Sequence, residues 1–305
     1  MKSRTAVVRF MRAAMAVAAL ISLLMLVPAL QPYAFAQANG NTNLDLDGLP
    51  DLIVRPDMLA NQWVVRDENL PADFCSVIEG GVTPGVRRII RFTVMTPNVG
   101  TADIFLGDPN EHVAANDGLY EFATCHQHYH FRHYAEYRLI DPRTGKTWKA
   151  AKRGFCMLDT DPNPPGLVGD EPPRDPNFRN CGGIDIPGNQ GISHGWTDTY
   201  RFFLGGQFFV LDGGDGQPVV PPGRYVLRVT VNPAYKASKG EPCRFLDTAT
   251  GLCHQLEESN YANNTSEVTI DIPDHPGRTG VGPMAGTPVL GKEADEHGNE
   301  VKPKK

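Results

Sequence analysis

Residues 119–141 read LYEFATCHQHYHFRHYAEYRLID, a stretch dense in aromatics and free of Gly and Pro, in which His126, His128 and His130 alternate with Gln127 and Tyr129 directly after Cys125. In an extended strand successive side chains project to opposite faces at about 3.3 Å per residue. The alternation therefore predicts one or two long strands with the three imidazoles on one face, about 6.6 Å apart along the backbone. One metal ion bridges such a spacing. Three neutral imidazoles suit copper, zinc, iron or nickel, and the general affinity order favours Cu(II). A polar strand face with unrelated histidines is the alternative reading. His133 breaks the alternation and is expected on the opposite face, either towards solvent or supporting the metal ligands from behind.

Working outward, VRRIIRFTVMTPNVG (86–100) contains a strand stopped by Pro97, Asn98 and Gly100. In GRYVLRVTVNPAY (223–235), Tyr225, Leu227, Val229 and Val231 alternate with other residues as in a half-buried strand. LPDLIVRPDML (49–59), WTDTYRFFLGGQFFVLD (196–212) and SEVTIDIP (266–273) have strand character too. Between them, 159–191 is dominated by Pro, Gly, Asp and Asn and reads as a long irregular loop. No segment after residue 36 sustains a helical apolar period. The expected fold is mostly β: a single antiparallel, sandwich-like domain over 45–273 with long irregular loops. With 31 Gly, 26 Pro, 41% hydrophobic and 21% charged residues, the 305-residue chain has material for a substantial core and many turns.

The first residues read as a targeting segment. Lys2, Arg4, Arg9 and Arg12 precede an apolar run at 13–30, and Ala34-Phe35-Ala36 offers a small-x-small cleavage site. The expectation is a signal peptide over 1–36, a flexible start over 37–44, and a secreted, periplasmic or extracellular protein without stable membrane association. An uncleaved anchor is the competing reading, opposed by Pro28 within the run. Loss of the four leader cations makes the formal charge of −6 more negative still, which argues against a nucleic-acid partner. Residues 274–305 carry Gly, Pro and charge without apolar period and are expected to form a disordered tail.

Export makes disulfides the default for Cys75, Cys125, Cys156, Cys181, Cys243 and Cys253, with 15 formal pairings. Cys243 and Cys253 flank a turn-rich stretch and are expected to close a local loop. For the others the preferred pairs are Cys75 with Cys125 and Cys156 with Cys181.

CHQHYH, KRGFCMLDT (152–160), QGISHGWTDTY (190–200), GRYVLRVTVNPAY and ESNYANN (258–264), in this order, resemble the catalytic domain of the lysyl oxidase family. The resemblance runs from about Leu49 to Ile272. It implies a copper-dependent amine oxidase whose lysine tyrosylquinone cofactor is made from its own side chains, here Lys152 and Tyr200, with copper on His126, His128 and His130. Such an enzyme converts primary amines, lysine side chains of proteins or alkyl amines, to aldehydes with O2, releasing hydrogen peroxide and ammonia. The proton on the carbon bearing nitrogen needs a base within hydrogen-bond reach, and Asp198 and Glu136 are the candidates. Glu136 falls where animal members carry a histidine, and Ala123 stands where a further histidine is common. An unprocessed chain is expected to hold Lys152 and Tyr200 far apart, because the 159–191 loop between them has room to move.

Glu258, Asn260, Asn263 and Asn264 crowd oxygen donors into seven residues, a calcium-type set. The resemblance implies completion by Asp51 and the Leu52 carbonyl. A polar turn is the alternative, and NNT and NTS also form glycosylation sequons. Two other function classes remain open: a zinc hydrolase or cupin-like dioxygenase on the His trio, and a secreted metal-binding protein that forms no quinone. A cupin wants a Glu a few residues past His-x-His, and Glu136 lies slightly too far.

Overall fold

The alternation in 223–235 is realised in the strand Gly223–Val231, where Tyr225, Leu227, Val229 and Val231 are all buried. It pairs antiparallel with Thr265–Ile272 on one side and Ala135–Ile140 on the other, and Thr147–Lys149 completes a four-stranded sheet. The computed structural model describes residues 44, 45, 47–152, 154–167, 175–237 and 243–278. The chain divides into 1–41 and 42–305, so the expected leader lies outside the described residues.

A second sheet joins Trp63–Leu70, Gly85–Phe92 and Phe208–Val210, again antiparallel. Its inward residues Trp63, Val65, Ile90 and Phe92 share one core with Tyr137, Leu139, Trp148, Tyr225 and Ile270 of the first sheet. Phe92 meets the Tyr137 ring edge-on at 5.3 Å between centroids, which ties the two sheets face to face. A third sheet, Val94–Pro97, Trp196–Tyr200 and Asp161–Pro162, carries the TDTY motif. Three two-stranded pairs complete the strands. The fold is thus a mostly β, antiparallel, disulfide-stapled domain, with short helices at Pro56–Asn61, Cys75–Ile78 and Pro109–Ala115. Among the described residues no helix is long and apolar enough to cross a membrane.

The disulfides are Cys75–Cys125, Cys156–Cys181 and Cys243–Cys253, with Cα separations of 5.4, 5.5 and 5.4 Å. One expectation needs correction. The stretch 119–141 is three short strands, Tyr120–Ala123, His128–Phe131 and Ala135–Ile140, rather than one or two long ones. The chain reverses at residues 124–127, where Gln127 adopts φ 60° and its N–H returns to the Ala123 carbonyl at 2.7 Å. It turns again at His133, exposed with φ 62°. Of the expected tail, residues 274–278 are described and 279–305 lie outside the described residues. Trp63–Leu70 is an edge strand, and its Val65 exchanges two backbone hydrogen bonds with Gly277 at 2.8 and 3.0 Å, so residues 274–278 cap an otherwise unpaired edge. Arg278 stacks over Trp63 at 4.5 Å from the ring centroid.

Candidate active site

The hairpin Tyr120–Ala123/His128–Phe131 sorts its side chains by face. Tyr120, Phe122, Tyr129 and Phe131 form edge-on aromatic pairs on one side. The other side carries Glu121 opposite His130 and Ala123 opposite His128. His128 and His130 thus share a strand face as the alternation predicts, whereas His126 sits in the turn. All three rings nevertheless gather, with centroids 4.9, 5.2 and 5.5 Å apart. A metal at 2.0–2.1 Å from each nitrogen lies about 3 Å from each ring centroid, so rings sharing it stand roughly 5 Å apart.

The donor atoms support the same reading. His128 Nε2 and His130 Nε2 are 3.1 Å apart, which at ordinary metal–nitrogen lengths corresponds to an angle of about 100° at a shared metal. Among the described residues no group of three or more His, Cys, Asp or Glu side chains is placed so as to hold a metal ion as it stands. Behind His130 stands Gly154, where an added Cβ would lie 2.0 Å from His130 Nδ1. If His130 holds copper, as the resemblance implies, Gly154→Ala is expected to expel its ring and weaken Cu(II) binding roughly tenfold or more, read by chelator competition on folded protein. Unchanged affinity would remove His130 from the ligand set.

A residue missed in the sequence holds His126. Glu79, at the end of the Cys75–Ile78 helix, places Oε2 2.9 Å from His126 Nδ1 and accepts the Cys125 N–H at 2.5 Å. Burial pushes its carboxyl up, but the bonds from His126, Cys125 and Thr124 outweigh burial and leave it below the ordinary range. The signal was present: Glu79 lies one helical turn past Cys75, whose disulfide partner Cys125 precedes His126.

Lys152 and Tyr200 are not far apart, contrary to expectation. Lys152 Nζ lies 4.8 Å from the Tyr200 ring centroid and 5.2 Å from that of Phe155. The backbone explains the proximity, because the segment after Lys152 is bolted down before the 159–191 loop begins. The Ala151 N–H bonds the Phe208 carbonyl at 2.8 Å, and the Phe155 carbonyl accepts the Phe131 N–H at 2.7 Å. Tyr200 Oη donates to the Cys156 carbonyl at 2.9 Å. A cavity of about 230 Å³ is lined by His126, His130, Glu79, Glu121 and Lys152 among others. Tyr200 and Asp198 do not line it and are buried, at 0% and 1% exposure. Burial, then the charge of Asp198, pushes the Tyr134 and Tyr137 phenols up. Glu136 is exposed and bonds Arg138, away from the histidines, so neither the base role nor a cupin-type ligand role fits it.

The sequence pattern of lysyl oxidase matches residues 67–242. The chain belongs to the lysyl oxidase family. Lysyl oxidase homolog 1 of Homo sapiens is 30% identical over 201 residues, covering 62% of this chain and 30% of that protein. Lysyl oxidase homolog 4 of Homo sapiens is 26% identical over 206 residues, covering 64% and 24% respectively. Lysyl oxidase homolog 2 of Gallus gallus is 26% identical over 202 residues, covering 63% and 23%. The matched part spans less than a third of the length of these relatives.

For a lysyl oxidase family member, the second cluster of oxygen donors is also informative. The structure joins Asp51, Leu52, Glu258, Asn263 and Asn264: the Leu52 N–H donates to Glu258 Oε2 at 2.5 Å, and Asn263 Nδ2 donates to Asp51 Oδ1 at 2.9 Å. Asn264 Nδ2 donates to Glu258 Oε1 at 2.8 Å. Asn232, unforeseen in the sequence, donates to the same oxygen at 2.6 Å. Asn260 is exposed and spends its Oδ1 on the Ala262 N–H. Burial pushes the Asp51 carboxyl up, and pushes Glu258 up to about 7. The side-chain oxygens of Asn263 and Asn264 are buried without a hydrogen-bond partner, which fits an oxygen-seeking cation better than an ordinary turn.

Proposed function

We propose that this chain is an exported, copper-dependent amine oxidase that converts primary amines, peptidyl lysine or alkyl amines, to aldehydes with O2, releasing hydrogen peroxide and ammonia. The observation that carries the reading is the placement of the Lys152 amine 4.8 Å from the Tyr200 ring, beside a cavity lined by His126 and His130. His126, His128 and His130 would hold copper. The bound metal and O2 would supply oxidation of the Tyr200 ring, and the lysine tyrosylquinone joining Lys152 to Tyr200 would supply the electrophilic carbonyl that a primary amine attacks.

The chain's own residues do the positioning. The Cys156 carbonyl orients the Tyr200 hydroxyl, and the edge-on ring of Phe155 and the tilted ring of Tyr134, 5.1 and 6.2 Å away, keep water from the phenol. Asp198 is the proposed proton acceptor, being two positions before Tyr200 on the same strand face. Unimpaired proton abstraction in Asp198→Asn, read from the deuterium isotope effect on amine turnover, would take that role away.

The decisive experiment is mass spectrometry of copper-loaded, oxygen-exposed protein. Peptides carrying Lys152 and Tyr200 should be recovered as one cross-linked species. Separate peptides, with no quinone absorbance and no peroxide on adding an alkyl amine, would sink the enzyme reading. Export rests on the basic-apolar leader and the three disulfides. A purified mature chain that retains residues 1–36 would contradict it.

The cluster around Glu258 is proposed as a structural calcium site tying the first strand region to the last strand. Without cation, the raised Glu258 carboxyl stabilises the fold below pH 4.5, its unfolded value, and that contribution is lost as pH rises through about 7. In chelator, unfolding free energy should fall by roughly 3 kcal/mol across this window. Calcium, which binds the ionised carboxylate, should remove the fall. A chelator-treated protein equally stable at both ends, or one indifferent to calcium, would contradict the site.

A further inference from the structure

We infer that Glu79 is the positioning residue of the copper centre: its carboxylate accepts the Nδ1–H of His126, fixes that tautomer and leaves Nε2 bare for the metal. The inference rests on the proposed role of His126 as a ligand and adds a residue outside the histidine motif. Three ties place the carboxylate. Oε2 lies 2.9 Å from His126 Nδ1, while Oε1 accepts the Cys125 N–H at 2.5 Å and the Thr124 hydroxyl at 3.4 Å. Both oxygens are therefore committed to the turn that carries His126. The Glu79 backbone N–H in turn bonds the Cys75 carbonyl at 2.8 Å, and Cys75 is covalently joined to Cys125. Disulfide and carboxylate thus clamp the same turn from one short helix.

The chemistry follows from the bond. An imidazole that donates Nδ1–H to a carboxylate is held in one ring orientation and is a stronger electron donor at Nε2. Loss of such an outer partner typically costs roughly 10–100-fold in metal affinity. His126 needs this help more than its neighbours do. His128 and His130 are set by strand pairing, and Gly154 packs against His130 Nδ1, whereas His126 stands in a turn beside a residue of positive φ. Glu79 and His126 side chains are only 22% and 13% exposed, so water competes weakly for the bond.

Nitrogen-15 NMR of metal-free, histidine-labelled protein at about pH 8, where free imidazole is neutral, should show His126 as a single Nδ1–H tautomer. Glu79→Gln has one acceptor oxygen where two are in use. It should lose that single tautomer, bind Cu(II) roughly 10–100-fold more weakly by chelator competition, and shift the Cu(II) hyperfine coupling in electron paramagnetic resonance. Glu267→Gln, which alters an exposed carboxylate bonded to Arg228 on the last strand, outside the cavity, should change none of the three. A wild-type His126 protonated at Nε2, or a Glu79→Gln variant with undiminished copper affinity, overturns the assignment. Should Glu79→Gln fail to fold, the wild-type tautomer alone decides. Wild-type protein that binds no copper would instead overturn the metal-centre reading, whatever the tautomer.

Discussion

Lys152→Ala is expected to abolish amine oxidation while leaving copper bound, because the variant deletes the amine proposed to join the Tyr200 ring. The lysine amine stands over the phenol face at 4.8 Å from its centroid. An alanine methyl replaces that nucleophile with nothing, and the nearby histidines do not depend on it: they are set by the hairpin and by Glu79. Tyr200 should also stay in place, since its hydroxyl is held by the Cys156 carbonyl at 2.9 Å and its ring by Phe155. Three readouts check this together: peroxide release with a small alkyl amine, a quinone stain of the denatured chain, and copper titration. The first two should vanish and the third should match wild type. Retained turnover would refute the assignment of Lys152, and loss of copper would show that the substitution had disturbed the metal site instead.

Arg91→Met should lower stability by about 3–5 kcal/mol, the usual consequence of removing one partner from a buried ion pair. Arg91 is completely buried and Glu68 is 4% exposed. Two parallel bonds join them at 2.6 and 3.0 Å across adjacent strands, and Arg91 Nη1 also donates to the Phe202 and Leu204 carbonyls, both at 3.1 Å. The guanidinium lies over the Phe208 ring at 4.9 Å. Methionine fills the volume but strands the Glu68 carboxylate and frees two carbonyls in the loop that follows Tyr200. A drop in Tm on the order of 10 °C is expected for a domain of this size, with recovery of most of it in the Arg91→Met, Glu68→Gln double variant. A single variant as stable as wild type would show that the pair contributes no net stability. Because the same arginine anchors 202–204, the single variant should also form the Lys152–Tyr200 cross-link more slowly than its melting curve alone accounts for.

Much of the candidate site was legible because its signals are local. Three histidines within five residues, a lysine just before Gly-Phe-Cys and a tyrosine ending Asp-Thr-Tyr all stand in contiguous motifs, as do the alternating core positions of 223–231. The errors have separate causes. Alternation assumes an unbroken strand, and 119–141 breaks twice where Gln127 and His133 take positive φ, a conformation with no firm signature in those residue types. The forecast that Lys152 and Tyr200 stay apart treated the 159–191 loop as their tether, whereas backbone bonds at Ala151 and Phe155 place Lys152 independently of it.

What the sequence determined by itself was the type of strand, the donor chemistry and the family, because side-chain identity and short-range spacing are sufficient for these. Which groups meet was decided by tertiary structure alone. Glu79 reaches His126 across 47 residues, Glu258 meets the Leu52 amide across 206, and Arg91 holds carbonyls more than a hundred residues away. Such contacts arise from sheet register and disulfide closure, and a buried carboxylate or guanidinium takes whichever partner the packed backbone brings within hydrogen-bond distance.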